Sequence, residues 1–392
     1  MDYQKLLSRT VQEIPPSGIR KFFDIVSEMK DALSLSVGEP DFTTPWNVCE
    51  AAIYSLERGQ THYSSNWGTI SLRREIARYL SARYALEYDP EDEIIATVGA
   101  SEGIDLALRA LLNPGDEVLV PDPSFVAYMP CVRLAGGVAV PVKTGAEDGF
   151  KITPGQLRAA ITPRTKALIL PYPNNPTGGV MERADLEAVA AVLRGSGIFV
   201  IADEIYSELT YGQGHVSFAA IEGMRERTVL LNGFSKAFAM TGWRMGYLCA
   251  PRELAAMACK IHQYTIMCAP MQAQAAAEEA LVSGFETGYA QVEGMRRIYD
   301  QRRRLLFKGL NDMGLDCFEP LGAFYLFPSI RSTGLPSEVF CEKLLREEKV
   351  AIVPGNAFGA AGEGHVRICY AVATEVIVEA LKRIDRFIKS LK

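Results

Sequence analysis

Thr228-Val-Leu-Leu-Asn-Gly-Phe-Ser-Lys236-Ala-Phe-Ala-Met-Thr-Gly-Trp-Arg244-Met-Gly-Tyr247 is the stretch on which the reading of this chain turns. Its first residues form an aliphatic, β-branched run that reads as a buried strand. Lys236 comes straight after it, between a serine and small apolar residues, and Arg244 follows eight positions later beyond Thr-Gly-Trp. A surface lysine needs no such setting. A lysine that must form a Schiff base does, because a desolvated amine loses its proton more easily and becomes a nucleophile. A bare Ser-Lys pair would read as a surface lysine beside a loop. The length of this motif, and its fit to features far away in the chain, reverse that reading.

Upstream, short β-branched runs alternate with helical patterns. Strands are expected at 93–97, 117–120, 138–142, 167–170, 198–202 and 228–231, with helices at 103–112, 183–194 and 251–264 between or after them. Strand–helix alternation implies an α/β fold with a largely parallel sheet covered on both faces. In such sheets ligands bind at the carboxyl ends of the strands. Ser101, Phe125, Asn175, Asp203 and Lys236 all fall at such ends. After about Gly288 the pattern changes to a long charged helix (289–313), the run Gly322-Ala-Phe-Tyr-Leu-Phe327, a helix at 336–348, a strand and an amphipathic helix at 373–390. The expected division is a large domain over 46–288 and a smaller α+β domain made of 1–45 and 289–392.

Composition narrows the function. The 392 residues carry a net charge of −6, which argues against a general nucleic-acid binder. No apolar run approaches about 20 residues, so no membrane span is expected. The N-terminus lacks the long apolar core of a signal peptide, and a cytoplasmic protein is expected. The eight cysteines form no Cys-x-x-Cys and read as buried reduced thiols, and the four histidines show no metal-ligand spacing. No metal is therefore expected, and any cofactor is expected to be organic.

Several residues carry chemistry at their positions. Asp203, in Ile201-Ala-Asp-Glu-Ile-Tyr206, ends an apolar strand. A carboxylate there is costly unless a cation such as a protonated pyridine nitrogen pairs with it, although alone it reads equally as a helix N-cap. Tyr206 could reach the same ligand. Asn175, in Tyr172-Pro-Asn-Asn-Pro-Thr-Gly178, is a turn residue that could also offer its amide to a phenolate oxygen. Thr97-Val-Gly-Ala-Ser-Glu102 places the backbone N–H groups of Ala100, Ser101 and Glu102 at a helix N-terminus, a ready anion site that Ser235 and Arg244 could complete. Phe125 could stack on an aromatic cofactor or simply be core. Arg367, mid-strand in His365-Val-Arg-Ile-Cys-Tyr370, needs a carboxylate, either a ligand's or one of the chain's own.

Together these segments resemble the class I/II aminotransferases, pyridoxal-phosphate enzymes of fold type I. The resemblance runs from Gly38-Glu-Pro-Asp-Phe42 through Tyr63, Gly68, Asn175-Pro-Thr-Gly178, Asp203-Glu-Ile-Tyr206 and Ser235-Lys236 to Gly242-Trp-Arg244 and Arg367. It implies a mostly parallel seven-stranded sheet between helices plus the smaller α+β domain. It also implies roles. Lys236 would carry pyridoxal phosphate and then move the proton; Asp203 would pair with the ring nitrogen; Asn175 and Tyr206 would bind the ring oxygen; Phe125 would stack on the ring. Ala100, Ser101, Glu102, Ser235 and Arg244 would bind phosphate, and Tyr63 would reach the phosphate of a neighbouring subunit in a homodimer. Gly38, Asn175 and Arg367 would hold the substrate's α-carboxylate end.

The stretches 16–22 and 261–265 are similar to a bacterial subgroup of aromatic or N-acetyl-diaminopimelate aminotransferases. Aspartate-preferring relatives resemble this chain but carry lysine at Ser101 and threonine at Ile19. That difference implies an aromatic, apolar or elongated amino acid as donor, with 2-oxoglutarate as acceptor. The alternatives are an aspartate aminotransferase, a C–S β-lyase on the same fold, and a non-catalytic binding or regulatory domain. The last is disfavoured by the retained Lys236, Asp203 and Arg367.

Overall fold

The computed structural model describes residues 1, 3–16, 18 and 31–391. Ile19 and most of the 16–22 stretch lie outside the described residues. A short strand β1 (Leu33–Ser34) leads to the helices Trp46–Glu57 and Ile70–Tyr84. Then come β2 (Ile94–Thr97), the helix Gly99–Leu111, β3 (Glu117–Asp122), β4 (Val138–Lys143), β5 (Thr165–Leu170), the helix Arg183–Leu193, β6 (Phe199–Asp203), β7 (Thr228–Gly233) and β8 (Gly246–Cys249). Among the described residues, β2 to β8 form one seven-stranded sheet in the order β2-β8-β7-β6-β5-β3-β4. β8 runs antiparallel to β2 and β7, and the other neighbours pair in parallel.

The uninterrupted apolar runs have a simple cause. In β6, Val200 and Ala202 pack into one core and Ile201 into another on the opposite face. β5 repeats this with Leu168 and Leu170 against Ile169. Successive strand residues point to opposite faces, and helices cover both, so the central positions of these strands are apolar on either face.

A second body of structure follows the helices Arg252–Thr265, Met271–Glu286 and Ala290–Asp312: β9 (Tyr325–Leu326), the helix Ser337–Glu348, β10 (Val350–Ala351), β11 (Val353–Pro354), β12 (Val366–Cys369) and the helix Thr374–Ser390. β12 pairs antiparallel with β9 and β11. β1 pairs with β10, which ties the chain's first part to its last. The last helix buries Ile377, Ala380, Ile384, Phe387 and Ile388, the spacing of one helical face. The long helix Ala290–Asp312 buries two of its charges: Arg302 bonds Asp41 at 2.9 Å, and Arg303 bonds Asp300 and Glu319 at 2.8 Å.

Three sequence expectations change. β8 had no counterpart in the strand reading. The helix expected from residue 103 begins at Gly99, because its first turn is built of small residues without periodicity. The cysteines are unbridged, but Cys49, Cys131, Cys268 and Cys317 are only partly buried. Among the described residues, no helix is long and apolar enough to cross a membrane.

Candidate active site

A cleft of about 540 Å³ opens at the carboxyl ends of the parallel strands, where the second body closes over the sheet. Its walls include Gly38, Ala100, Ser101, Phe125, Asn175, Asp203, Tyr206, Ser235, Lys236, Arg244 and Arg367. These positions are spread over 330 residues of chain, and the fold brings them to one place.

Lys236 leaves the end of β7 and donates from Nζ to the Gly38 carbonyl at 2.6 Å. Burial lowers its pKa to about 8; the guanidinium groups of Arg367 and Arg244 add to that, while Cys369 and Glu39 oppose it. A fraction of the amine is therefore neutral at physiological pH and able to attack a carbonyl. Gly38 also admits the close approach of the Tyr325 hydroxyl, on which a Cβ there would fall.

Asp203 ends β6 at the cleft floor. Burial raises its carboxyl to about 6, opposed by hydrogen bonds from the Tyr128 hydroxyl at 2.8 Å and the Ile205 N–H at 3.2 Å. Arg367 is 3% exposed, sandwiched between the rings of Tyr325 and Phe358 at 4.5 and 4.8 Å. Its guanidinium donates to Asn175 Oδ1 at 3.0 Å and to the Ser36 carbonyl at 2.6 Å, and its Nε has no partner. Among the described residues no carboxylate pairs with it, so an internal salt bridge does not account for this buried charge.

The N-terminus of the helix Gly99–Leu111 and Arg244 meet in the cleft and could hold an anion there. Arg244 holds φ +53°, a costly conformation for a side-chain-bearing residue, and bonds the Thr241 carbonyl at 2.9 Å. A Cβ at Gly99 would meet Arg244 Nη2 at 2.5 Å, so glycine lets the guanidinium lie against the helix N-terminus. Phe125 lines the cleft and packs edge-on against Tyr128 at 5.6 Å. Tyr206 meets the Tyr325 hydroxyl at 2.9 Å, and burial raises its phenol well above its usual range.

Two expected residues stand apart. The Glu102 carboxylate is taken up by the Val98 N–H and by His262 Nδ1, which leaves only its backbone for an anion. Tyr63 is 82% exposed and lies outside this cleft, beside Tyr54 and Arg58 in a second depression. Sequence reasoning missed Tyr128 and Tyr325. Tyr128 lies three residues after Phe125, and Tyr325 lies in the aromatic run 322–327, the only signals either left.

This donor set fits pyridoxal phosphate. A buried carboxyl wants a cationic ring nitrogen, a helix N-terminus with an arginine wants a phosphate, and a partly neutral lysine wants an aldehyde. The Arg367 guanidinium, which has no carboxylate partner among the described residues, could take a ligand's carboxylate.

Known proteins agree with that fit. The family model for aminotransferase class I and II matches residues 30–384. A putative aminotransferase, YugH, of Bacillus subtilis is 53% identical over 97% of this chain and 98% of its own. An aspartate aminotransferase of Pyrococcus abyssi is 46% identical over 98% and 99%. The crystal structure of an aromatic aminotransferase from Pyrococcus horikoshii superposes with a TM-score of 0.90 at 45% identity, covering 94% of this chain and 99% of that one. The chain belongs to the class I and II aminotransferases, and it is a pyridoxal-phosphate-dependent enzyme of fold type I.

Proposed function

We propose that this aminotransferase works by ping-pong half-reactions through Lys236, with an aromatic, apolar or elongated amino acid as donor and 2-oxoglutarate as acceptor. The observation that carries the reading is the presence, in one cleft, of a buried amine lowered to about 8 and a buried guanidinium that has no carboxylate partner among the described residues. Pyridoxal phosphate, when bound, supplies the carbonyl that takes up the amino group and the electron-withdrawing ring that acidifies the substrate's Cα–H.

The chain's residues do the rest. Arg367 and the backbone around Gly38 fix the substrate carboxylate, with Asn175 orienting the guanidinium. Lys236 Nζ would act as general base toward the substrate's Cα–H and, once protonated, as general acid toward the former carbonyl carbon, so that the proton is moved rather than returned. Asp203 would balance the ring nitrogen's charge, Tyr206 and Asn175 would bind the ring oxygen, and Phe125 would stack on the ring. Ala100, Ser101, Ser235 and Arg244 would hold phosphate, together with the Glu102 backbone.

The cleft's apolar and aromatic lining (Val37, Ile104, Phe125, Ile205 and Tyr325) supports the donor assignment. The relative named as an aspartate aminotransferase supports a second reading, aspartate as donor. We also propose a large domain over 46–288 and a small one of 1–45 with 289–392, which the β1–β10 pairing supports. A homodimer in which Tyr63 reaches the neighbouring cleft is consistent with that residue's exposure.

The test is the visible absorption of the purified enzyme on adding single amino acids without an oxo acid. Loss of the cofactor band, restored by 2-oxoglutarate, is expected, fastest with phenylalanine or tyrosine. Fastest loss with aspartate would move the substrate assignment. Pyruvate release from cystathionine, with no recovery of the band by an oxo acid, would replace transfer by C–S β-elimination. Lys236→Ala is expected to retain cofactor but lose nearly all turnover.

A further inference from the structure

The helix Gly99–Leu111 turns its first N–H groups to the cleft, so whatever fixes its first turn also fixes the anion site. Glu102 sits in that turn. Its Oε2 accepts the Val98 N–H at 2.6 Å, and its Oε1 lies 2.7 Å from Nδ1 of His262. His262 is fully buried near the end of the helix Arg252–Thr265, and its Nε2 has no polar partner among the described residues. An imidazole kept in an apolar wall at that cost is held there by its one polar contact.

The contact has an electrostatic purpose. A helix N-terminus attracts anions, and a carboxylate in the first turn is the nearest anion to hand. Left free, it would swing to the amides of Ala100 and Ser101 or repel whatever anion bound there. Held by Val98 and His262, it does neither.

We propose that Glu102 and His262 are a positioning pair. The histidine pins the carboxylate against Val98, so that the amides of Ala100 and Ser101 stay free for the cofactor's phosphate. The inference rests on the phosphate assignment made above. The pair has a further connection: the His262 carbonyl accepts the N–H groups of Ile266 and Met267, and the Met267 carbonyl accepts the Asn66 side chain at 2.8 Å. The segment that carries Tyr63 is thus tied to the same histidine.

The experiment is equilibrium dialysis of the purified full chain against pyridoxal phosphate, with four variants. His262→Phe fills the space without a donor, and its dissociation constant should rise about tenfold. His262→Asn sets an amide nitrogen near Nδ1 and should stay within about threefold of the parent chain. A merely structural role would not separate the two, so equal weakening by Phe and Asn overturns the proposal. Glu102→Gln drops the charge and can keep both hydrogen bonds, its amide oxygen accepting the Val98 N–H and its amide nitrogen donating to Nδ1 of the other imidazole tautomer, and should bind at least as tightly as the parent; weaker binding there also overturns it, even if the phenylalanine variant fails to fold. Arg244→Gln tests the underlying assignment. If it weakens binding while His262→Phe does not, the pair fails alone; if Arg244→Gln binds unchanged, the phosphate assignment fails and takes the pair with it.

Discussion

Asp203→Asn should make the cofactor-free protein more stable and the enzyme worse. The Asp203 carboxyl rises from its ordinary 3.8 to about 6 because burial disfavours its charge. Below 3.8 it is protonated whether folded or unfolded, and burial of the charge costs nothing. The cost grows as pH rises towards 6 and is complete above it, reaching about 3 kcal/mol. Asparagine carries no charge to bury. Its Oδ1 can still accept the Ile205 N–H, and its Nδ2 can donate to the Tyr128 hydroxyl. At about 2.1 cal/mol/K per residue over 392 residues, the unfolding entropy is about 0.8 kcal/mol/K, so the gain amounts to about 2–4 °C in Tm. Differential scanning calorimetry of the cofactor-free chains would read it. The gain should be full at pH 8 and fall to about half at pH 5. With pyridoxal phosphate added the order should reverse, because asparagine cannot balance a cationic ring nitrogen. A Tm that does not rise at pH 8, or a gain equal at both pH values, would refute the reasoning.

Lys236, lowered to about 8, predicts that uptake of pyridoxal phosphate by the cofactor-free chain climbs about tenfold per pH unit below 7 and flattens above 9, followed at the visible band; a flat profile would contradict its activation by burial. Arg367→Lys keeps the charge but loses the planar fork and the sandwich between Tyr325 and Phe358, so kcat/KM should fall about 10- to 100-fold for every amino acid; a loss confined to one donor would disprove a shared carboxylate site. Gly38→Ala puts a Cβ on the Tyr325 hydroxyl and should lower kcat/KM about tenfold with circular dichroism unchanged. Tyr325→Phe in the same chain should recover part of that loss, and strictly additive losses would show that the two residues do not interfere.

The parts of the fold legible in the sequence were those with the simplest physics. Strands covered on both faces read as unbroken apolar runs, so β5, β6 and β7 stand out, as does the one-sided stripe of Thr374–Ser390. β8 did not, because Gly246-Tyr-Leu-Cys249 is only four residues long and its first two belong to the lysine motif. At the site, residues whose chemistry is unusual for their surroundings were visible: a lysine after a buried strand, an acid at a strand's end, an arginine within one. Tyr128 and Tyr325 were not, since a buried tyrosine reads as core until its hydroxyl is seen on Asp203 or Tyr206. Glu102 shows the limit most clearly. Its place in a helix's first turn is evident from sequence, but the direction of its carboxylate depends on His262, 160 residues away.

One physical cause joins the two titrating groups of the cleft. Burial pushes the Lys236 amine down to about 8 and the Asp203 carboxyl up to about 6, so each approaches neutrality from its own side. Either group alone would be a cost. On the proposed assignment they would together select a ligand: a carbonyl that the neutral amine can attack, on a ring whose cationic nitrogen pairs with the carboxylate. A ring without that positive charge would leave the buried Asp203 without a cation, and one without the carbonyl would leave Lys236 idle. Preference for the protonated, aldehyde-bearing form of the cofactor would thus be tied to the same desolvation that destabilises the empty chain, and Asp203→Asn should relieve the one only by losing the other.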